Sequence, residues 1–211
     1  MSPHFSHKLS LVALVLLLLV NVITVHSEEA DDEEADEATE EEPKIPDNFQ
    51  TIKFSPADLT DEDQHSLHMP RDLKCDGCRI VAYLLSDRFQ KMTEKFKKSK
   101  RKFTESEVLD MVDYVCTDEG NRYQEYGVKD INGQRRLSGP GLETKDVPGI
   151  MQGGGRWPHR LQQMCAEYAG ELGEEEIFSA WQSGQHLDDF ICRSEQLGSI
   201  CPPKQKKKSE L

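Results

Sequence analysis

Leu73-Lys74-Cys75-Asp76-Gly77-Cys78-Arg79-Ile80-Val81-Ala82-Tyr83-Leu84-Leu85 sets two cysteines three residues apart at the head of an apolar pattern. Beyond Cys75, apolar side chains recur at Cys78, Val81, Ala82, Leu85, Phe89, Met92 and Phe96 in steps of three and four, which is the period of one helix face. The spacing predicts an amphipathic helix with Cys75 and Cys78 on its buried side. Downstream, Thr104-x-x-Glu107 has the form of a capping box, and Val108, Met111, Val112, Val115 and Cys116 make the stripe of a second helix. Pro158 suits the first position of a third, with Leu161, Met164, Cys165, Tyr168 and Leu172 inward and Gly173 as its stop. Ile177, Phe178 and Trp181 mark a fourth helix, and Leu187–Cys192 a short fifth. The fold class expected is therefore all-α, a bundle of about five helices. Residues 118–155, between the second and third helices, are glycine-rich and without strong periodicity; such a stretch is usually functional or disordered.

The ends of the chain carry signals of another kind. Residues 9–25 are apolar except for Ser10, Asn21 and Thr24, and residues 11–20 have no polar side chain. That core is short for a membrane span but suits the apolar region of a signal peptide, with cleavage expected after Ser27. The chain ends Lys208-Ser209-Glu210-Leu211, one residue away from the Lys-Asp-Glu-Leu tetrapeptide of luminal retention. Together these predict a soluble resident of the endoplasmic reticulum lumen, with partial secretion as the lesser alternative. A retention receptor would be a partner, nucleic acid would not, and no stable membrane insertion is expected.

Residues 28–42 contain eleven Asp or Glu among fifteen, and supply most of the formal net charge of −13. Such a tract repels itself and has no core to bury. The chain thus divides into a signal peptide at 1–27, an acidic disordered arm at 28–68, a disulfide-linked domain at 69–203 and a basic tail at 204–211. No EF-hand loop occurs, so any calcium held by the arm would be diffuse and weak. Residues 91–102 hold seven Lys or Arg among twelve. Such a run is normally a solvated face, but it could contact an acidic partner.

Cys75, Cys78, Cys116, Cys165, Cys192 and Cys201 all fall in the domain. An even count in an oxidising compartment reads as three disulfides, although six cysteines allow fifteen connectivities and spacing alone does not choose among them. Structural zinc would want a second close pair, and Cys192 and Cys201 stand too far apart for it. No cofactor or metal is expected.

Two cysteines opening the first helix, one in each middle helix and two closing the domain is similar to the saposin-like pattern. The resemblance implies nested pairing: Cys75–Cys201, Cys78–Cys192 and Cys116–Cys165. The long insert between helices two and three departs from saposins and is shared in kind by the canopy-related proteins. More narrowly, several segments resemble the marginal-zone B-cell protein family of plasma-cell-induced reticulum residents. They are His68-Met69-Pro70, Leu73 through Arg79, Tyr126-Gly127-Val128, Arg136-Leu137-Ser138-Gly139-Pro140-Gly141-Leu142 and Gly170-Glu171-Leu172-Gly173-Glu174. That likeness covers roughly residues 64–201 and the tail. It implies a luminal co-chaperone that associates with immunoglobulin heavy and light chains and with other luminal chaperones, promotes antibody assembly and secretion, and influences calcium stores.

The alternative is a thiol-disulfide oxidoreductase using Cys75 and Cys78 as a Cys-x-x-Cys pair. The thioredoxin setting, a strand-to-helix junction in an α/β sheet, is missing from the pattern. Loop closure also favours the long link: a Cys75–Cys201 bond would contribute about 5 kcal/mol and a Cys75–Cys78 bond about 2 kcal/mol. No catalytic residue is therefore favoured. His65, His68, His159 and His186 form no ligand-spaced pair, and lipid handling of the saposin type would require helices that open.

Overall fold

The computed structural model of the chain describes residues 53–97 and 101–203. The signal segment, the acidic tract at 28–42 and the tail bearing Lys208, Ser209, Glu210 and Leu211 lie outside the described residues.

Six helices form. They are α1 (Asp61–His65), α2 (Lys74–Phe96), α3 (Glu105–Cys116), α4 (Trp157–Leu172), α5 (Glu174–Gln182) and α6 (Leu187–Cys192). The last five correspond to the five stripes in the sequence. Local signals set their ends. The Thr104 hydroxyl accepts from the Glu107 N–H while the Glu107 carboxylate accepts from the Thr104 N–H, so both partners of the capping box are in place. Proline stands in the first turn of α4, and Gly173, at φ 85°, breaks the chain between α4 and α5. α2 is the spine, packing against α3, α4 and α6. Leu73, Ile80, Val81, Phe89, Leu161, Ile177 and Ile191 are sealed from solvent, and each is worth about 1.5–3 kcal/mol in removed apolar surface. Phe89 sits edge-on to Phe178 at 5.0 Å, with Trp181 stacked beyond, and these rings join α2 to α5.

The all-α expectation needs one correction. The insert is not structureless: after one 3-10 turn at Arg122–Glu125, β1 (Gly127–Ile131), β2 (Gln134–Ser138) and β3 (Gln152–Gly153) form an antiparallel sheet in the order β2-β1-β3. Gly127 pairs with Ser138 and Val128 with Leu137. The two residues joining β1 to β2 are Asn132 (φ 56°) and Gly133 (φ 79°). Both lie in the left-handed region, the condition for the tight hairpin turn whose twist matches its strands. The fold is thus a helix-rich, disulfide-linked bundle with a small sheet set into it.

A second difference concerns the start of the domain. Residues 53–68, expected within the disordered arm, pack on the bundle: Ala57 and Asp63 are buried. Thr60 and Asp63 form a capping box for α1. The guanidinium of buried Arg160 lies over the Trp157 ring and donates to the carbonyls of Asp63 and Ser66, both at 2.7 Å. A cation at the last carbonyls of a short helix is a favourable terminus. This segment docks through hydrogen bonds rather than an apolar stripe, so periodicity does not register it.

Candidate functional site

The opening turn of α2 is where most constraints meet. Helical spacing of three puts Cys75 and Cys78 on one face, and the returning chain brings two cysteines to them. Cys75 bonds Cys201 with Cα atoms 4.9 Å apart, and Cys78 bonds Cys192 with Cα atoms 5.8 Å apart. Cys116 on α3 bonds Cys165 on α4. First pairs with sixth, second with fifth and third with fourth, and no cysteine is free. The Cys201 N–H donates to the Cys192 carbonyl at 2.8 Å, closing the segment that carries the two outer partners. Cys75 and Cys78 are therefore each tied to a distant residue rather than to one another.

The two residues between them are committed as well. Asp76 is buried and accepts two hydrogen bonds from Arg136, at 2.7 and 2.8 Å, and a third from the Leu137 N–H at 3.1 Å. A bidentate guanidinium–carboxylate pair fixes orientation as well as charge. It clamps β2 to the first turn of α2 and holds the Arg136 guanidinium above its ordinary range. Gly77 faces Met164: a Cβ there would stand 3.0 Å from the Met164 sulfur. An ion-pair chain extends outward, since Glu143 accepts from both Arg79 and Arg136. The hydrogen bond from Arg79 is the main reason the Glu143 carboxyl is lowered to about 2. Arg135, next along β2, takes Asp63 at 2.5 Å and Asp72 at 3.0 Å. Burial pushes the Asp63 carboxyl up, but bonds from Thr60 and Arg135 outweigh it and hold the group below its usual range.

The stretch from Leu137 to Leu142 turns beneath this clamp. The Thr144 hydroxyl donates to the Leu137 carbonyl, and the Ser138 hydroxyl to the Thr144 carbonyl. The Tyr126 hydroxyl donates to the Pro140 carbonyl at 2.9 Å, and burial pushes that phenol well up. Gly141, at φ 82°, lies against the Tyr83 ring so closely that a Cβ would sit 2.3 Å from a ring carbon. Lys129 is buried and reaches the carbonyls of Lys145 and Val147, at 3.2 and 2.9 Å. The insert is a built module attached to the spine by charge.

No family model matches the chain. A mouse protein named marginal zone B- and B1-cell-specific protein is 36% identical over 149 residues, covering 67% of this chain and 78% of the mouse protein. The human protein of that name is 38% identical over 145 residues, covering 65% and 75%. The rat protein is 37% identical over 141 residues, covering 64% and 73%. The chain belongs to the marginal zone B- and B1-cell-specific protein family.

In this family member all six sequence-selected cysteines fall within the described domain, but the structure joins them across helices instead of assembling a dithiol centre. His65, His68, His159 and His186 are exposed. Among the described residues no group of His, Cys, Asp or Glu side chains could hold a metal ion, and no helix is long and apolar enough to cross a membrane. Sequence reasoning missed the Asp76–Arg136 clamp, whose partners stand sixty residues apart. The only available cue was an acidic residue inside the Cys-x-x-Cys and an Arg-Arg pair in the insert.

Proposed function

We propose that the chain is a folding and assembly factor of the endoplasmic reticulum lumen that associates with immunoglobulin heavy and light chains and aids their assembly and secretion. Membership in a family named for marginal zone B and B1 cells, on a domain whose six cysteines are all in long-range bonds, is the observation that carries this reading. A small domain held by nested disulfides suits an oxidising compartment. The proposed route is entry through the apolar leader at 9–25 and retention through Lys208-Ser209-Glu210-Leu211 by a receptor. Other luminal chaperones are proposed as co-partners, and the acidic tract as a weak, diffuse calcium store. The dithiol alternative has no free pair to act with, because Cys75 and Cys78 are bonded elsewhere.

Mild crosslinking in antibody-secreting cells, followed by affinity recovery of the full chain and peptide identification, tests the proposal. Heavy and light chains together with a luminal chaperone are the expected recovery. Their absence, with the protein found outside the reticulum, would overturn it.

A further inference from the structure

On the face of α2 away from the disulfides lies a small cavity of about 80 Å³, floored by Leu84 and Val115 and walled by the Tyr114 ring. Room of this size takes a carboxylate and the methylenes that carry it. Arg88 stands over Tyr114, its guanidinium carbon 3.7 Å from the ring centroid. It forms no ion pair with any described residue, and its Nε is buried without an acceptor. An orphaned buried donor on a cation is costly and calls for a partner. The carboxylates nearby are already engaged. Asp87 takes both Lys91 and Arg122, and Asp118 accepts from the Tyr123 N–H.

The surroundings extend the charge. Leu84, Arg88, Lys91 and Lys95 recur at steps of four, three and four, so they share one face of α2. Lys91 and Lys95 are exposed, and both belong to the basic run at 91–102. The whole is a cationic stripe that starts at an aromatic-walled notch of mixed lining, with Leu84 and Val115 beside Asp87, Asp118 and Arg122, and with Arg88 as its uncommitted cation.

We propose that this notch docks an acidic peptide segment of a partner protein, with Arg88 pairing one Glu or Asp carboxylate and Lys91 and Lys95 facing the acidic residues that follow. The Tyr114 ring holds the guanidinium plane, which pre-orients its fork for a carboxylate. Charge complementarity selects the occupant: a neutral or basic segment would leave Arg88 and Lys95 unpaired, whereas Lys91 already shares Asp87. The proposal rests on this geometry alone and not on the chaperone reading, so either can fail without the other.

The test is fluorescence anisotropy of the full chain with a fluorescein-labelled peptide of repeated Glu-Asp-Glu-Ala units. Arg88→Met should weaken binding by about tenfold, the loss of one well-placed charged pair. Arg88→Lys, which keeps charge but not the fork, should weaken it by about fivefold. Lys95→Gln should weaken it by about twofold and reduce its salt dependence. Urea unfolding of each variant separates lost binding from lost folding. Affinity within twofold of the parent for a folded Arg88→Met would overturn the site. Equal binding of a Gln-Asn-Gln-Ala peptide would overturn the charge selection. Binding that appears only after residues 28–42 are replaced by Gly and Ser would mean that the chain's own acidic tract is the occupant, and would overturn the partner-protein proposal.

Discussion

The nested bonds can be tested by asking whether they act independently. Taken alone, the Cys75–Cys201 link spans 126 residues and would remove about 5 kcal/mol of chain entropy from the unfolded state. With Cys78–Cys192 intact the ends are already near one another. The two separations, 126 and 114, differ by 12, so the outer bond closes only a short additional loop worth about 3 kcal/mol. The same holds for the inner bond when the outer one is kept. Replacing either pair by alanine should therefore cost about 3 kcal/mol, while replacing both should cost about 8 kcal/mol, more than the sum. Urea unfolding followed through Trp157 and Trp181 reads these losses. Each single-pair variant should also melt about 6–12 °C lower, judged by domains of this size. A four-alanine variant that loses no more than the sum of its two parents would refute the nested-loop argument. It would mean that each bond stabilises only its own surroundings.

Removing Arg136 as Arg136→Met leaves Asp76 buried and uncompensated, and should cost about 3 kcal/mol by urea unfolding; adding Asp76→Asn should restore part of the loss. Gly141→Ala forces a Cβ into the Tyr83 ring at a positive φ and should cost at least about 2 kcal/mol, again by urea unfolding. Glu143 has a folded-state carboxyl lowered from 4.5 to about 2, so its contribution is present above the unfolded value and fades as pH falls through that window. Half-exposed and screened, it is worth about 1 kcal/mol at most, and Glu143→Gln should flatten the stability curve between pH 4.5 and 2 by that amount. Hydrogen exchange should show the β1–β2 hairpin opening before α2 and α4, and a uniform exchange profile would contradict its status as an attached module.

How much of this was legible in the sequence depended on how each part is held. Helices α2 to α6 bury apolar stripes, and a stripe is a local pattern, so Phe89 and Leu161 declared themselves. The Thr104–Glu107 box did so too, because its partners are three residues apart. The hairpin carried an equally local cue in Asn132-Gly133 between Ile131 and Gln134, but the charged side chains of β2 hid its alternation. Arg135, Arg136 and Lys129 find their partners through long-range charge, and composition does not say which acid an arginine will meet. The segment around Thr60 was invisible for the same reason, since Arg160, nearly a hundred residues away, supplies its anchor.

The two kinds of attachment explain why the Cys-x-x-Cys spacing serves architecture here. Helical geometry alone would let Cys75 and Cys78 stand three apart with any two residues between them. Instead Asp76 receives the sheet through Arg136, and Gly77 gives space to Met164. Every position of the tetrapeptide thus answers to a different part of the chain: the residues after α6 through Cys201, α6 through Cys192, β2 through Asp76 and α4 through Gly77. A redox dithiol needs its two sulfurs to approach and separate over one catalytic cycle. Here that movement would break two covalent links at once and disturb the helix turn on which the sheet's principal carboxylate stands. While the four residues hold these three elements, Cys75 and Cys78 are both engaged with distant cysteines.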